Sequence, residues 1–151
     1  MAALLAATIA ACGDDDVERI EGSGNVIIEE RAVDGFDEIA LRGAGDVVVE
    51  LGPEERLTVE ADDNLLEYLL TDVRGDRLEL RIRNNTSLGP SATITYRITA
   101  TDLEEVAVFG SGDIVATVIA TDRFEASVNG SGKIRLAGMA NEVDFDIPGS
   151  G

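Results

Sequence analysis

The 151-residue sequence contains no histidine, no tryptophan and a single cysteine, Cys12, and only 4% of its residues are aromatic. Without histidine the chain lacks the usual base of a serine-type catalytic triad and the commonest zinc ligand, which excludes both kinds of site in their ordinary forms. A single cysteine excludes an intrachain disulfide. The scarcity of aromatic residues predicts a core of Val, Ile, Leu and Ala, which favours layered β packing.

Basic residues are also few, since 12 Lys and Arg stand against 30 Asp and Glu, for a formal net charge of -18. Such a charge repels nucleic acid and anionic lipid headgroups within the screening length, so we expect no nucleic-acid partner. The acidic surface either keeps the protein in solution or binds cations and cationic partners. The length of 151 residues is typical of a single domain.

The N-terminal stretch "MAALLAATIAACGDDD" is apolar up to Cys12 and acidic after it. Eleven residues are too few to cross a bilayer core of about 30 Å as a helix. The run is instead typical of the hydrophobic part of an export signal, although no Lys or Arg precedes it. The segment from Ile9 to Cys12 resembles the lipobox of bacterial lipoproteins, in which the cysteine is lipidated. The alternative is a buried structural cysteine in a short N-terminal helix.

This resemblance divides the chain into a lipoprotein signal peptide at 1–11, an acidic tether at 12–20 that follows the lipidated Cys12, and one domain at 21–151. It also implies a membrane partner, through the N-terminal lipid anchor. Gly13, where an Asp would favour the inner membrane, indicates sorting to the outer membrane. We therefore expect an exported protein that is anchored in the cell envelope and faces the periplasm or the cell surface.

Alternation of apolar and polar residues with a period of two begins at Val17 and predicts strands, as in "DVVVELG", "RLELRIR" and "ATITYRITA". The segment "ADDNLLEYLLTDV" differs, because its leucines recur at helical spacing after Asp62 or Asp63, either of which can cap a helix. It predicts one short helix near residues 62–70.

Gly-Ser-Gly triplets begin at Gly110, Gly130 and Gly149, after intervals of 20 and 19 residues, and related triplets begin at Gly22 and Gly43. Apolar residues flank the triplets at fixed positions, so the repeating unit is a strand, a glycine corner and a second strand. The predicted structural corner glycines are Gly22, Gly24, Gly43, Gly45, Gly110, Gly112, Gly130, Gly132, Gly149 and Gly151.

Two architectures can use this unit. An antiparallel meander places each triplet in a hairpin loop, whereas a parallel β-solenoid stacks the triplets at the same corner of successive coils. A period near 20 residues favours the solenoid, with a last coil that is incomplete at Gly151.

The runs "GSGNVIIEERAVDGFDEIALRGAGDVVVE", "LTVEADDNLLEYLLTDVRGDRLELRIR", "DLEEVAVFGSGDI" and "FEASVNGSGKI" resemble the head GIN domain family of auto-transporter adhesins. The resemblance implies a right-handed parallel β-helix, frequently on an exported lipoprotein, and supplies neither a catalytic residue nor a ligand. The predicted fold is therefore all-β, a right-handed parallel β-helix or β-solenoid with one short helix inserted near residues 62–70.

The glycine triplets do not fit a phosphate loop, because they lead into strands of an acidic chain instead of into a helix with a lysine. A calcium ladder would use the position after each corner, which holds Asn25, Asp46, Asp113 and Lys133. Lys133 would put a cation beside the metal, which excludes a continuous ladder and leaves an isolated weak site open. The alternative to a calcium site is that the Asp and Asn residues at these positions favour the turn at each corner. We assign no metal and no cofactor.

Carboxylates are so abundant that no pair stands out for glycoside hydrolysis, and no catalytic residue is assigned. The sequence thus predicts a non-enzymatic envelope lipoprotein for adhesion, binding or structural support, whose partner is an unidentified envelope protein or glycan. One alternative is a carbohydrate-active enzyme with an Asp/Glu pair, which semi-buried carboxylates in a groove would favour. Another is an envelope assembly component that acts by strand addition.

Overall fold

A computed structural model describes residues 17–151, apart from the side chains of Val118 and Ile119. The predicted signal peptide, Cys12 and the first part of the predicted tether lie outside the described residues. The described chain forms twelve strands and one 3-10 turn at Leu66–Tyr68. The strands are β1 Glu18–Ile20, β2 Val26–Arg31, β3 Glu38–Arg42, β4 Asp46–Leu51, β5 Arg56–Asp62, β6 Leu69–Arg74, β7 Arg77–Ile82, β8 Thr86–Leu88, β9 Ile94–Ala100, β10 Glu105–Val108, β11 Asp113–Val128 and β12 Lys133–Asp146.

Ten of these strands form a single mixed sheet. Its order is β2-β5-β9-β4-β11-β10-β3-β7-β6, with β12 added on β11, and β1 and β8 pair separately. The pairs β2–β5, β5–β9 and β6–β7 are antiparallel. The pairs that join β9, β4, β11, β10, β3 and β7, and the β11–β12 pair, are parallel.

The two ends of this sheet, β2 and β6, come close together. The side chain of Arg31, the last residue of β2, donates hydrogen bonds to the main-chain oxygens of Leu66 at 2.8 Å and of Leu69, the first residue of β6. The sheet therefore curls into a nearly closed, barrel-like form around one apolar core.

The all-β prediction is confirmed, but the prediction of a parallel β-helix or β-solenoid is wrong. The three antiparallel pairs within one mixed, barrel-like sheet overturn it. The turn between β6 and β7 shows why, because Gly75 has a φ of 64° there and a two-residue loop folds β6 back onto β7 as a hairpin.

The predicted helix near residues 62–70 is also wrong, since only the three residues of the 3-10 turn are helical. Asp62 does not cap a helix, because its carboxylate accepts a hydrogen bond from the backbone N–H of Gly24. Leu69 and Leu70 continue into β6, where they pair with Ile82 and Arg81 of β7. Strand pairing overrides the helical spacing of these leucines.

The core consists mainly of aliphatic side chains that alternate along the strands, as in Val47 and Val49 of β4 and Val106 and Val108 of β10. Phe36, Tyr96 and Phe124 are the buried aromatic residues of the described chain. Burial raises the pKa of the Tyr96 phenol well above its ordinary value.

The long strand β11 has two neighbours on one side. Its first part, residues 113–117, pairs with β4, and its last part, residues 125–128, pairs with β10. β12 follows β11 along both parts. As a result, the segments that precede the glycine corners lie side by side in the order β3, β10, β11 and β12, with β7 beyond β3.

Candidate functional site

Four of the five glycine corners lie directly on one another. A Cβ atom at Gly110 would overlap the main-chain oxygen of Gly43, one at Gly130 would overlap that of Gly110, and one at Gly149 would overlap that of Gly130. The second glycines of these corners, Gly45, Gly112, Gly132 and Gly151, are stacked in the same way. Backbone therefore fills the space that side chains would need.

Hydrogen bonds also connect the stacked corners. The N–H of Ser131 donates to the oxygen of Gly110 at 2.9 Å, and that of Ser150 donates to the oxygen of Gly130 at 2.8 Å. A phosphate loop needs backbone N–H groups that point at its ligand. The N–H groups of Ser131 and Ser150 are instead bonded to the neighbouring corners of the chain.

The fifth corner, Gly22 to Gly24, lies apart from the stack. The N–H of Gly24 donates to the buried carboxylate of Asp62 at 2.7 Å. Ser23 and Asn25 donate to the carboxylate of Asp63, which holds the pKa of Asp63 below its ordinary value. This network fastens the segment before β2 to the end of β5.

Two of the residues that a calcium ladder would use, Asn25 and Asp113, are bonded within the chain. The carboxylate of Asp113 accepts a hydrogen bond from the N–H of Lys133 at 2.9 Å and lies 3.8 Å from the guanidinium of Arg135. Among residues 17–151, no three metal-ligating side chains are grouped as they would be around an ion.

Acidic side chains form a row across the parallel strands that precede the stacked corners. Glu38 of β3 is in register with Glu105 of β10, Glu105 with Glu125 of β11, and Glu125 with Asp144 of β12. Arg77 of β7 is in register with Glu38 and ends the row. Neighbouring strands are about 4.8 Å apart, so like charges stand side by side, an arrangement that destabilises a sheet. We call these four acidic residues the carboxylate row.

Two arginines lie at the ends of the carboxylate row. The Nε atom of Arg77 donates to Glu38 at 2.7 Å, and its Nη2 atom donates to both carboxylate oxygens of Glu105, at 3.2 and 3.1 Å. At the other end, Arg123 donates to Asp144 at 2.6 Å. Glu125, in the middle, forms no ion pair with the described part of the chain.

The carboxylate row borders a solvent-open groove with a volume of about 700 Å³. The groove is wide enough for a small ligand or for several side chains of a partner. Its charged lining residues are Glu38, Asp102, Glu104, Glu105, Asp122, Arg123 and Glu125. Six carboxylates face one guanidinium, so the groove attracts cations.

Burial, together with nearby like charges, raises the pKa of two carboxyl groups at this end of the molecule. Burial raises the pKa of Glu105, and Glu38 and Glu125 add to the effect although Arg77 opposes it. Burial also raises the pKa of Asp37, together with the charges of Asp76, Glu38 and Asp102. A cationic group in the groove would relieve this repulsion.

The carboxylate row was not predicted above, although the sequence contains a signal for it. An acidic residue stands five positions before the first glycine of each stacked corner, at Glu38, Glu105, Glu125 and Asp144. This position alternates with the apolar positions four and two residues before the same glycines, which are the ones that predict the strands.

The described residues contain no helix that is long and apolar enough to span a bilayer.

One family matches the sequence over residues 35–151, and its description is "Putative auto-transporter adhesin, head GIN domain". Comparison with curated proteins finds no match. A crystal structure from Parabacteroides distasonis, described as "Putative lipid binding protein", is 25% identical to this chain with a TM-score of 0.65, and the match covers 85% of this chain and 63% of that one.

Two crystal structures with the description "putative adhesin" are also similar. The one from Bacteroides fragilis is 18% identical with a TM-score of 0.79, over 86% of this chain and 62% of that one. The one from Parabacteroides merdae is 18% identical with a TM-score of 0.67, over 85% of this chain and 61% of that one. At this identity the similarity shows the fold. The chain spans less than two thirds of the length of all three.

Proposed function

Because the chain belongs to the head GIN domain family, we propose that it is a non-enzymatic, adhesin-like binding domain of an exported envelope protein. The family description supports an adhesin-like role and a place in the cell envelope. The binding surface and the chemistry of its partner are inferred from the structure of this chain.

The groove beside the carboxylate row is the proposed binding surface, and the partner presents cationic groups such as lysine side chains. The observation that carries this proposal is the set of groove carboxylates without an ionic partner. Arg77 neutralises Glu38 and Glu105, whereas Asp102, Glu104 and Glu125 form no ion pair with the described part of the chain. Their charges are therefore available to a cationic surface.

A glycoside hydrolase would use a groove of this kind differently. It needs one carboxyl group that stays protonated and a second that is ionised, both directed at the scissile bond. Glu38 and Glu105 are the half-buried pair in this groove, and both hydrogen bond to the same guanidinium. That contact directs both carboxylates at Arg77, so they do not face each other across a space for a scissile bond, which favours binding over acid catalysis.

Anchoring through Cys12 remains a prediction of the sequence and completes the proposal, since a lipid anchor would hold the domain in the envelope. Labelling of cells with palmitate tests it. The wild type should incorporate label and fractionate with membranes, and Cys12→Ser should do neither.

Binding of fluorescent octalysine, followed by anisotropy at about 0.15 M salt, tests the groove. The double variant Glu104→Gln with Glu125→Gln should bind about five-fold more weakly than the wild type, because two exposed charge pairs are lost. The matched control, Glu50→Gln with Glu54→Gln, removes the same charge from exposed sites outside the groove and should change affinity less than two-fold. Equal losses in the two variants would show that net charge, and not the groove, attracts the peptide.

A further inference from the structure

The sequence contains a single Asn-Gly pair, Asn129 followed by Gly130, and this pair lies at one of the stacked corners. In such a pair the N–H group of the glycine lies beside the side-chain amide of the asparagine, and the glycine has no side chain that shields it. Its nitrogen can attack the side-chain carbonyl carbon, a reaction that makes asparagine a heat-labile residue. Each of the other five asparagines precedes a residue with a side chain.

The structure leaves both reacting groups of this pair without a partner. The side chain of Asn129 is exposed, and neither its amide nor the N–H of Gly130 forms a hydrogen bond with another described residue. The side-chain amides of Asn25, Asn64 and Asn141 instead donate hydrogen bonds at 2.8 to 2.9 Å. Those bonds have to break before the side chain can turn towards the backbone nitrogen that follows it.

We propose that Asn129 is the principal site of spontaneous deamidation in this chain, and that one of the two products disrupts the stacked corners. The nitrogen of Gly130 loses its proton to water and attacks Cγ of Asn129. The Cγ–Nδ2 bond breaks, and Nδ2 leaves as ammonia. Water then opens the cyclic imide at either carbonyl carbon, which gives aspartate or isoaspartate. The net reaction consumes one water and releases one ammonia.

The two products differ in what they do to the main chain. Aspartate leaves the backbone unchanged and adds a charge to an exposed side chain. Isoaspartate directs the main chain through Cβ, which inserts one carbon and about 1.5 Å between position 129 and Gly130.

The stack has no room for this inserted carbon. Gly130 lies between Gly110 and Gly149, and a Cβ atom on Gly130 would already overlap the main-chain oxygen of Gly110. The same oxygen accepts a hydrogen bond from the N–H of Ser131 at 2.9 Å. A displaced Gly130 therefore loses this bond or presses on the neighbouring corner, and either outcome destabilises the domain.

Ageing of the protein followed by peptide mass spectrometry tests the site of reaction. All proteins are the full chain with Cys12→Ser, so that neither lipid nor thiol oxidation changes the mass, and they are incubated in mildly alkaline buffer below Tm. Asn129 should deamidate about ten-fold or more faster than any other asparagine. Asn129→Gln should abolish the fast reaction, because the attack then has to close a larger ring. Faster deamidation elsewhere, or an unchanged rate in Asn129→Gln, would overturn the proposal.

Thermal unfolding of the separated products tests the effect on the corners. Labelling with a methyltransferase specific for isoaspartate identifies the isoaspartate fraction after ion exchange. This fraction should melt about 5 °C or more below the fresh protein. Asn129→Asp is the matched control, since it carries the same added charge on an ordinary backbone, and its Tm should stay within about 2 °C of the parent chain. An isoaspartate fraction that melts together with Asn129→Asp would overturn the predicted disruption of the stack.

Discussion

At the scale of single residues, the glycine corners are defined by contact between backbones. Gly130 lies between Gly110 and Gly149, and each corner presses a carbonyl oxygen against the α-carbon of the next. A methyl group at such a position overlaps backbone atoms, which cannot rotate away as a side chain can. The requirement for glycine here is one of space.

Gly130→Ala should therefore destabilise the domain by about 2 kcal/mol or more, because the stacked corners have to separate to admit the methyl group. Thermal unfolding measures this as a fall in Tm of about 5 °C or more. Ser131→Ala, at the exposed middle position of the same corner, should change stability by less than about 0.5 kcal/mol. Equal melting curves for Gly130→Ala and the wild type would contradict the close contact.

Asp37 provides a test of the electrostatics near the groove. Its pKa is raised in the folded state, so the ionised form that predominates at pH 7 is penalised by burial and by Asp76, Glu38 and Asp102. Asp37→Asn should raise stability at pH 7 by roughly 0.5 kcal/mol, since the group is near the surface.

The sign of this effect depends on pH. For an acid whose folded pKa is raised, the penalty is complete above the folded pKa and absent below the unfolded value of about 3.9. The advantage of Asp37→Asn should therefore shrink as pH falls through the folded pKa and vanish below about pH 4. An advantage that grows towards low pH would contradict the assigned cause.

At the scale of strands, Arg31 joins the two ends of the mixed sheet. Its side chain is 17% exposed and donates hydrogen bonds to the main-chain oxygens of Leu66, in the 3-10 turn, and of Leu69, the first residue of β6. Arg31→Met should cost about 2 kcal/mol, because charge-assisted hydrogen bonds are lost and two carbonyl groups lose a donor. Amide hydrogen exchange should accelerate in β2 and β6 before it does in β4 or β10.

Arg56→Met serves as the comparison for this prediction. Arg56 is 61% exposed, and its Nε atom lies 3.7 Å from Oε1 of Glu30, which is a long distance for an ion pair. Its loss should therefore change stability by less than about 0.5 kcal/mol. Similar effects of the two substitutions would show that Arg31 does not connect the sheet ends.

The alternation of apolar residues predicted strands correctly, but it could not give the direction in which they pair. A period of two fixes which side chains are buried and is the same in parallel and antiparallel sheets. The turn at Gly75 belongs to a hairpin and the corner at Gly130 to a parallel pair, and their flanking strands alternate alike. Direction depends on loop geometry and on contacts distant in sequence, such as those of Arg31.

One further feature of the fold and one of the site could not be predicted from the sequence, for related reasons. The leucines around residue 66 fit a helix locally, but pairing of β6 with β7 outweighs that preference. The carboxylate row was visible in the repeats, but its partner Arg77 comes from a strand outside them. Only the register of β7 beside β3 shows that this arginine neutralises Glu38 and Glu105 and leaves Glu125 without a partner.

At the scale of the whole molecule, the formal charge of -18 attracts cations everywhere on the surface. Our proposal of a single groove for cationic partners requires more than this general attraction, because only one part of the acidic surface should bind.

Chemical-shift mapping of the ¹⁵N-labelled chain with octalysine, at about 0.15 M salt, distinguishes binding in the groove from general attraction to the net charge. The largest saturating shifts should fall on the amides of residues 104–106 and 122–126, with little change at residues 29–31 and 50–54. Shifts of equal size at all acidic segments, or shifts concentrated away from the groove, would contradict it.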